Sequence, residues 1–236
     1  MKHINIFVIF TAVVFLAIST NGFSQVNMYR SSGAELIFSG ADVRFNNTNV
    51  NANMRFTSFF HAEQMLNVDF GRFVGLFTGL GMRNIGFITE DLYQNVGFLN
   101  IDENDADWNQ ETKIKRRSYS LGVPLALKAG SMKKGLFFFA GGEYEWTIHY
   151  KQKLFIDGEK IKFSEWGSDR VNAFLPSVFA GVQLPKGMRV KFKYYMDDFL
   201  NPGYTGIDFE EAVDYSEFGS TGIFYVSLAF VTGKKR

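Results

Sequence analysis

The sequence predicts an all-β protein, an eight-stranded antiparallel up-and-down transmembrane β-barrel of the outer-membrane type. Three observations lead to this fold class. Apolar residues alternate with small or polar ones along eight segments, the links between segments alternate between short and long, and the 236 residues include 27 Phe and 23 Gly. Barrels that cross a bilayer combine outward apolar faces, aromatic girdles, short periplasmic turns and long extracellular loops.

Composition excludes several other classes of protein. A net charge of +1 with 46% apolar residues is incompatible with intrinsic disorder. The absence of cysteine excludes a disulfide scaffold, a thiolate zinc site, a thiol nucleophile and a cysteine-linked lipid anchor. Because 25 basic residues are offset by 24 acidic ones, nucleic-acid binding is disfavoured.

Residues 1–24 have the layout of a secretory signal peptide. Lys2 precedes an apolar run over 6–18, and Gly22 and Ser24 stand at −3 and −1 to a cut before Gln25. The run is shorter than the ~20 residues that a spanning helix needs. We therefore expect the barrel domain to comprise residues 25–236 and to be exported.

The segment 118–130 shows the alternation most clearly. Leu121, Val123 and Leu125 fall on one face, and serine, glycine and lysine fall mostly on the other. Side chains alternate faces in a strand, so one face is apolar and the opposite face is small or polar. Pro124 has no amide hydrogen to pair and predicts a bulge or a local break in the ladder.

Seven further segments complete the predicted sheet. They are 33–45, 54–67, 70–88, 138–151, 177–184, 189–197 and 224–230. The pattern leaves open which face of 33–45 points outward. In 138–151 it places His149 with Glu145 and Thr147 on one face and Tyr150 on the other.

The links between the predicted strands alternate strictly between long and short. Short links lie at 68–72, 131–135 and 185–187, and long links lie at 46–53, 89–112, 152–170 and 198–219. A soluble sandwich has no reason to alternate in this way. In outer-membrane barrels the short turns are periplasmic and the long loops are extracellular.

The interior of an eight-stranded barrel is narrow and is filled by side chains. We expect glycine and serine to occupy most of it, with phenylalanine largely on the outside. Inner charged residues must pair, because an isolated buried charge is costly. The predicted lumen ion-pair network, with a structural role, consists of Arg83, Lys128, Glu143, Glu145, Lys191 and Lys193.

No pattern in the chain predicts catalysis, a metal site or a cofactor. His61 and Glu63 share a face, but the chain has no G-x-S-x-G elbow and no pair of histidines at metal-binding spacing. The acidic stretch 102–107 lacks the glycine of a calcium loop. It is interpreted as a solvated loop, as is the second acidic patch, which consists of Glu210, Glu211 and Asp214.

The strand around Pro124-Leu125-Ala126-Leu127-Lys128 resembles the Pro-Leu-x-x-Lys strand of PorT-type and related outer-membrane β-barrel domain proteins. The Gly79-Leu80-Gly81 strand and the last strand, 224–230, are similar to that group as well. The resemblance implies an outer-membrane location and an eight-stranded barrel. It does not imply a single activity, since some members serve protein secretion.

The sequence thus favours a non-enzymatic integral protein of the Gram-negative outer membrane, with a filled lumen and a structural or surface-interaction role. The expected partners are the bilayer and its lipopolysaccharide, the barrel-assembly machinery and a protein at the long loops. Three alternatives stay open: an accessory barrel of a secretion system, a lipid-modifying membrane enzyme, and a soluble lipocalin-type barrel with its apolar face inward.

Overall fold

The computed structural model describes residues 26–92, 111–156, 158–209 and 211–233. The predicted signal peptide at 1–24, the acidic stretch 102–107 and Glu210 lie outside these residues. In the described part of the chain, no helix is both long enough and apolar enough to cross a membrane.

The described chain is built almost entirely of strands. Their bounds are β1 Val26–Phe45, β2 Thr48–Val50, β3 Ala52–Asn53, β4 Arg55–Thr57, β5 Ala62–Phe70, β6 Val74–Leu92, β7 Glu111–Ser131, β8 Leu136–Ile156, β9 Glu159–Trp166, β10 Phe174–Gln183, β11 Met188–Tyr195, β12 Thr205–Asp208, β13 Glu211–Asp214 and β14 Phe218–Gly233. Two short 3₁₀ turns, Pro185–Gly187 and Tyr215–Glu217, precede β11 and β14.

Eight of these strands close into a ring. The order is β1, β5, β6, β7, β8, β10, β11 and β14, and β14 pairs with β1. Every pair is antiparallel, and neighbours in the ring are also neighbours along the chain, if the short strands and the hairpin strands of the links are set aside. The prediction of an eight-stranded up-and-down barrel is therefore confirmed.

The two faces of the wall differ sharply in chemistry. Leu121, Val123 and Leu125 on β7 point outward and are 42–58% exposed, whereas the side chains of Arg83 and Lys193 point into the barrel and are fully buried. An apolar band of this extent requires a lipid environment rather than water. The molecule is an outer-membrane barrel. The lipocalin-type alternative is wrong, because in such a barrel the ionisable side chains would face water, whereas here Arg83 and Lys193 are buried inside.

The short turns all lie at one end of the barrel. Residues 71–73, 132–135 and 185–187 provide them. In the third turn Gly187 has φ of +87°, and a Cβ there would lie 2.0 Å from the Val231 carbonyl oxygen, so only glycine fits. This end is the periplasmic one by the loop-length rule.

Three of the long links contain strands that the sequence did not predict, and the short strands β2 and β3 lie in the first of these links. β8 continues past the barrel wall and folds back as β9, with the pair His149–Trp166 at its base. β12 and β13 form a separate hairpin in the link before β14. In the part of the chain that the structure describes, the β8–β9 hairpin and the β12–β13 hairpin therefore lie at the outer end of the barrel.

Pro124 interrupts pairing on one side of β7, as predicted. It pairs with Glu143 of β8, but on the β6 side the ladder lapses between the pairs Thr78–Leu125 and Gly81–Gly122. The Thr78 hydroxyl donates to the Pro124 carbonyl oxygen at 2.8 Å and bridges the gap. The missing amide hydrogen of proline explains the break.

The prediction that His149 shares a face with Glu145 and Thr147 is wrong. Thr147 pairs with Ser120 and His149 pairs with Tyr119, which leaves Ile148 as the extra residue of a β-bulge. A bulge reverses the alternation beyond it. His149 consequently faces outward, and Tyr150, which the sequence placed outside, points inward and is fully buried.

Phenylalanine occupies both faces of the wall, which corrects the expectation that it lies largely outside. Near the periplasmic end, Phe77 packs inside the barrel against Phe139 and Phe179, with ring centroids 5.7 and 6.3 Å apart. A larger inner cluster at the outer end contains Phe87, Phe199 and Phe218. The interior of an eight-stranded barrel must be filled by side chains, and glycine and serine are too small to fill it alone.

Substituting Leu125 with lysine tests the lipid-facing assignment. Leu125 is 58% exposed at the middle of β7, so a charge there is expected to reduce the free energy of unfolding in phospholipid vesicles by about 2–4 kcal/mol. Ile161→Lys on β9 is the matched control, because Ile161 is similarly exposed but lies beyond the barrel wall. Equal stabilities of the two variants in urea titrations would contradict the assignment.

Candidate functional site

The charged centre of the lumen is organised around Arg83 on β6. Its Nη2 lies 3.6 Å from Glu35 Oε1, 3.5 Å from Glu63 Oε2 and 3.7 Å from Glu143 Oε1. These carboxylates come from β1, β5 and β8, and the side chains are 0–1% exposed. One guanidinium therefore connects four strands across the interior.

Cations from β11 complete this lumen network. Lys191 Nζ lies 2.6 Å from Glu35 Oε1, and Lys193 Nζ lies 2.7 Å from Glu143 Oε2. Lys193 also pairs with Glu145, and Arg189 pairs with Glu63. Because four carboxylates meet four cations, the network is balanced in charge, as buried ions must be.

The structure brings five of the six predicted residues together in this network: Arg83, Glu143, Glu145, Lys191 and Lys193. Lys128 lies apart, nearer the short turns, where its Nζ donates to Asp69 at 2.6 Å and to Asn67 at 3.0 Å. Sequence reasoning missed Glu35, Glu63 and Arg189 as members.

The alternation of residues could have predicted some of the missed residues but not all of them. Arg189 shares the alternation of Lys191 and Lys193, so a strict reading of that strand includes it. Glu35 lies on the segment whose outward face the pattern left open. Its burial now shows that the odd-numbered residues of that strand point inward.

Within the described residues, three layers fill the middle of the lumen, and a cavity of about 420 Å³ opens at the short-turn end, where Tyr29, Asn67 and Arg189 line it. The lumen network lies between the aromatic cluster around Phe77 and the apolar cluster at the outer end. Gly122 makes room for the network, since a Cβ there would lie 2.2 Å from Glu143 Oε1. A filled eight-stranded interior provides no wide channel for solutes.

A second polar cluster closes a gap in the wall between β4 and β6. Arg55 donates to the Asn84 carbonyl oxygen at 3.0 Å and to Asn84 Oδ1 at 2.7 Å. The backbone N–H of Asn84 donates to His61 Nδ1 at 3.3 Å. His61 thus serves as a hydrogen-bond acceptor where the backbone ladder is interrupted.

His149, the other histidine of the described chain, lies in a group of outward rings. Its ring stacks on Tyr119 at 5.7 Å between centroids and lies 4.6 Å from Trp166. Phe60 contacts Tyr119 edge-on at 5.3 Å. This is the composition of an interfacial aromatic girdle, and Trp166 is 75% exposed.

The hairpins at the outer end are joined by Arg170. Its Nε donates to Asp208 Oδ1 at 2.6 Å, its Nη1 to Glu165 Oε2 at 2.7 Å, and its Nη2 to the Ile207 carbonyl oxygen at 2.8 Å. The guanidinium also lies over the rings of Phe163 and Tyr204, at 4.6 and 4.7 Å. This single side chain connects β9 to the β12–β13 hairpin.

Replacing Arg170 with methionine should loosen the outer cap without unfolding the barrel. Loss of these charge-assisted bonds, each worth about 1.5–3 kcal/mol, is expected to increase cleavage of the β9 hairpin by protease at least tenfold. Limited proteolysis on intact cells measures the change. Lys160→Met on the exposed strand β9 is the control, and equal cleavage of both variants would contradict the role of Arg170.

Metal-binding groups are limited in the described residues, where no three or more histidine, aspartate and glutamate side chains are placed to share an ion. Asp214, from the predicted acidic patch, accepts a hydrogen bond from the Ser216 amide at 2.8 Å and caps a turn.

Comparisons with known proteins found no matching family model and no matching curated sequence. The PorT-like resemblance therefore stays a prediction. Among solved structures, the chain is similar to Ail of Yersinia pestis, crystallised with the heparin analogue sucrose octasulfate, at 10% identity, 86% coverage of this chain, 99% of that chain and a TM-score of 0.34. It is also similar to Neisserial surface protein A, at 7% identity, 89% and 99% coverage and a TM-score of 0.38.

Proposed function

We propose that this protein is a non-enzymatic outer-membrane barrel that presents a rigid β-hairpin cap at the cell surface for interaction with other molecules. The observation that carries this proposal is the filled lumen. Charged and aromatic layers occupy the middle of the interior, so the described residues leave no open path for transport, and we assign the function to the outer end.

The cap has the properties of a binding surface rather than of a disordered loop. β9 extends the wall of the barrel beyond the aromatic girdle, and Arg170 holds it to the β12–β13 hairpin. Ile161 and Ile207 are 45% and 65% exposed on these hairpins. Exposed apolar residues on a fixed scaffold favour contact with a protein or glycan partner.

The experiment has two arms. First, the reconstituted protein is examined in planar bilayers, where the filled lumen predicts no stepwise ion conductance. Second, cells expressing the full chain are compared with cells in which residues 157–165 are replaced by a two-residue turn. The trimmed cells are expected to lose self-association or attachment to surfaces, while the barrel still migrates with heat-modifiable mobility.

Three outcomes would contradict the proposal. Stepwise conductance would assign a transport role to the lumen. Retention of exported proteins in the periplasm of deletion cells, with unchanged surface behaviour, would favour the secretion alternative. A change in lipid A or phospholipid composition that His149→Ala abolishes would favour the lipid-modifying enzyme.

A further inference from the structure

A dense group of cations covers the outer wall just above the aromatic girdle. Lys115 pairs directly with Lys153 across β7 and β8, and Arg117 pairs with Lys151 in the same way. Lys153 also pairs with Lys162 across β8 and β9. Directly opposed residues on neighbouring strands share a face, so these five cations form one outward basic patch.

Like charges in this arrangement repel each other. Opposed like charges destabilise a sheet, and burial together with Lys151 and Arg117 lowers the pKa of Lys153. The nearby carboxylates are already engaged: Glu90 accepts from Lys113 and Asn53, and Glu165 accepts from Arg170 and Ser168. The patch thus favours an anion from outside the chain.

The position of the patch relative to the membrane is set by the girdle. Tyr119 and His149 form the next outward pair on the periplasmic side of Arg117 and Lys151. At the rise of a strand, Lys151 and Lys153 lie about 7 and 13 Å farther along β8 than His149. Aromatic rings mark the membrane interface, so the cations lie at the level of lipid headgroups.

The surface also has a cleft at this point. It holds about 180 Å³ and is lined by Lys115, Arg117, Lys151 and Lys153 together with the apolar side chains of Phe56 and Ile88. Phe56 is 56% exposed and lies on the outer wall beside Phe38, with ring centroids 4.9 Å apart. Cations above apolar rings match a ligand with an anionic head and an acyl tail.

We propose that the basic patch binds the phosphate groups of a phosphorylated lipid of the outer leaflet, with acyl chains packed on the girdle below. Guanidinium and ammonium groups form charge-assisted hydrogen bonds with phosphate oxygens, and several cations around one headgroup relieve the mutual repulsion. The proposal rests on the membrane orientation given above. It does not depend on the partner of the surface cap.

The test uses full-length mature protein in nanodiscs of phosphatidylcholine that contain bisphosphorylated lipid A, with dephosphorylated lipid A as the comparison. Native mass spectrometry counts the lipid molecules retained. Lys115→Gln combined with Lys153→Gln should reduce the affinity for the bisphosphorylated lipid roughly tenfold or more. In pure phosphatidylcholine the same variant should be as stable as the native chain or more stable, because the repulsion is relieved.

Lys133→Gln combined with Lys134→Gln is the matched control, since it removes the same charge in a short turn at the other end of the barrel. This control should retain lipid normally. Equal retention of phosphorylated and dephosphorylated lipid, or an equal loss in both double variants, would overturn the proposal. Full displacement of the lipid by millimolar inorganic phosphate would also overturn it, because the site would then recognise free phosphate.

Discussion

Replacing Arg83 with methionine is expected to destabilise the folded barrel by about 3–5 kcal/mol, the cost of breaking a buried ion pair by removing one partner. Arg83 lies 3.5 to 3.7 Å from three carboxylates of the lumen network, those of Glu35, Glu63 and Glu143. Methionine fills much of the same volume as arginine, so the loss of stability reflects the missing charge and not a cavity. The excess negative charge would remain in a water-poor interior.

Urea-induced unfolding in phospholipid vesicles, followed by tryptophan fluorescence, measures this loss. Arg72→Met is the control, since Arg72 lies exposed in the first short turn. Adding Glu63→Gln to Arg83→Met leaves three carboxylates with three cations, which restores the charge balance of the network, and should recover part of the stability. If Arg83→Met is as stable as the control, the lumen network does not support the fold.

Replacing Glu143 with lysine is expected to have a still larger effect. Glu143 lies 2.7 Å from Lys193 and 3.7 Å from Arg83, so the substitution places a third cation beside two others. Two unit charges about 4 Å apart interact by roughly 4 kcal/mol at an effective dielectric constant of 20. Added to the lost attraction, this approaches the whole stability of a typical domain, about 5–15 kcal/mol.

The measured outcome is the loss of the heat-modifiable band on semi-native gels, together with degradation in cells. Glu143→Gln is the first control and should fold, because Lys193 retains Glu145 as a partner. Glu217→Lys on the exposed outer rim makes the same charge change and should also fold. A folded Glu143→Lys barrel with native melting would show that the pairing with Lys193 contributes nothing.

The alternation of residues and the lengths of the links together predicted the eight barrel strands and the end of the barrel at which each link lies, although the predicted strand 54–67 is divided into β4 and β5. Successive side chains of a strand point to opposite faces, so a strand with one apolar and one polar face shows a period of two in its sequence. Short links are recognised by the glycine, proline and polar residues that tight turns require. The segment containing Leu121 to Leu127 shows both faces in a single stretch. The break at Pro124 could be predicted for the same reason, because the missing amide hydrogen is a property of that residue alone.

The lumen could be predicted only in part. Alternation places Lys191 and Lys193 on an inner face, but it cannot show that Lys191 lies 2.6 Å from Glu35, since these residues are 156 positions apart in the chain. The prediction that Lys128 belongs to the same network was wrong about its position along the barrel axis. Lys128 points inside, but it lies closer to the short turns, where it pairs with Asp69. A face is a local property, whereas position along the barrel axis depends on the registers of all the strands between.

The sequence by itself determined the fold class, the chemistry of the two faces and the filled interior, because these follow from residue types at alternating positions. The tertiary structure alone decided the ion-pair partners, the bulge that turns His149 toward the lipid interface and Tyr150 inward, and the meeting of Lys115 with Lys153 in one patch. The physical reason is register. A single extra residue, Ile148, reverses every side chain that follows it on β8, and no local pattern shows where such a residue is accommodated.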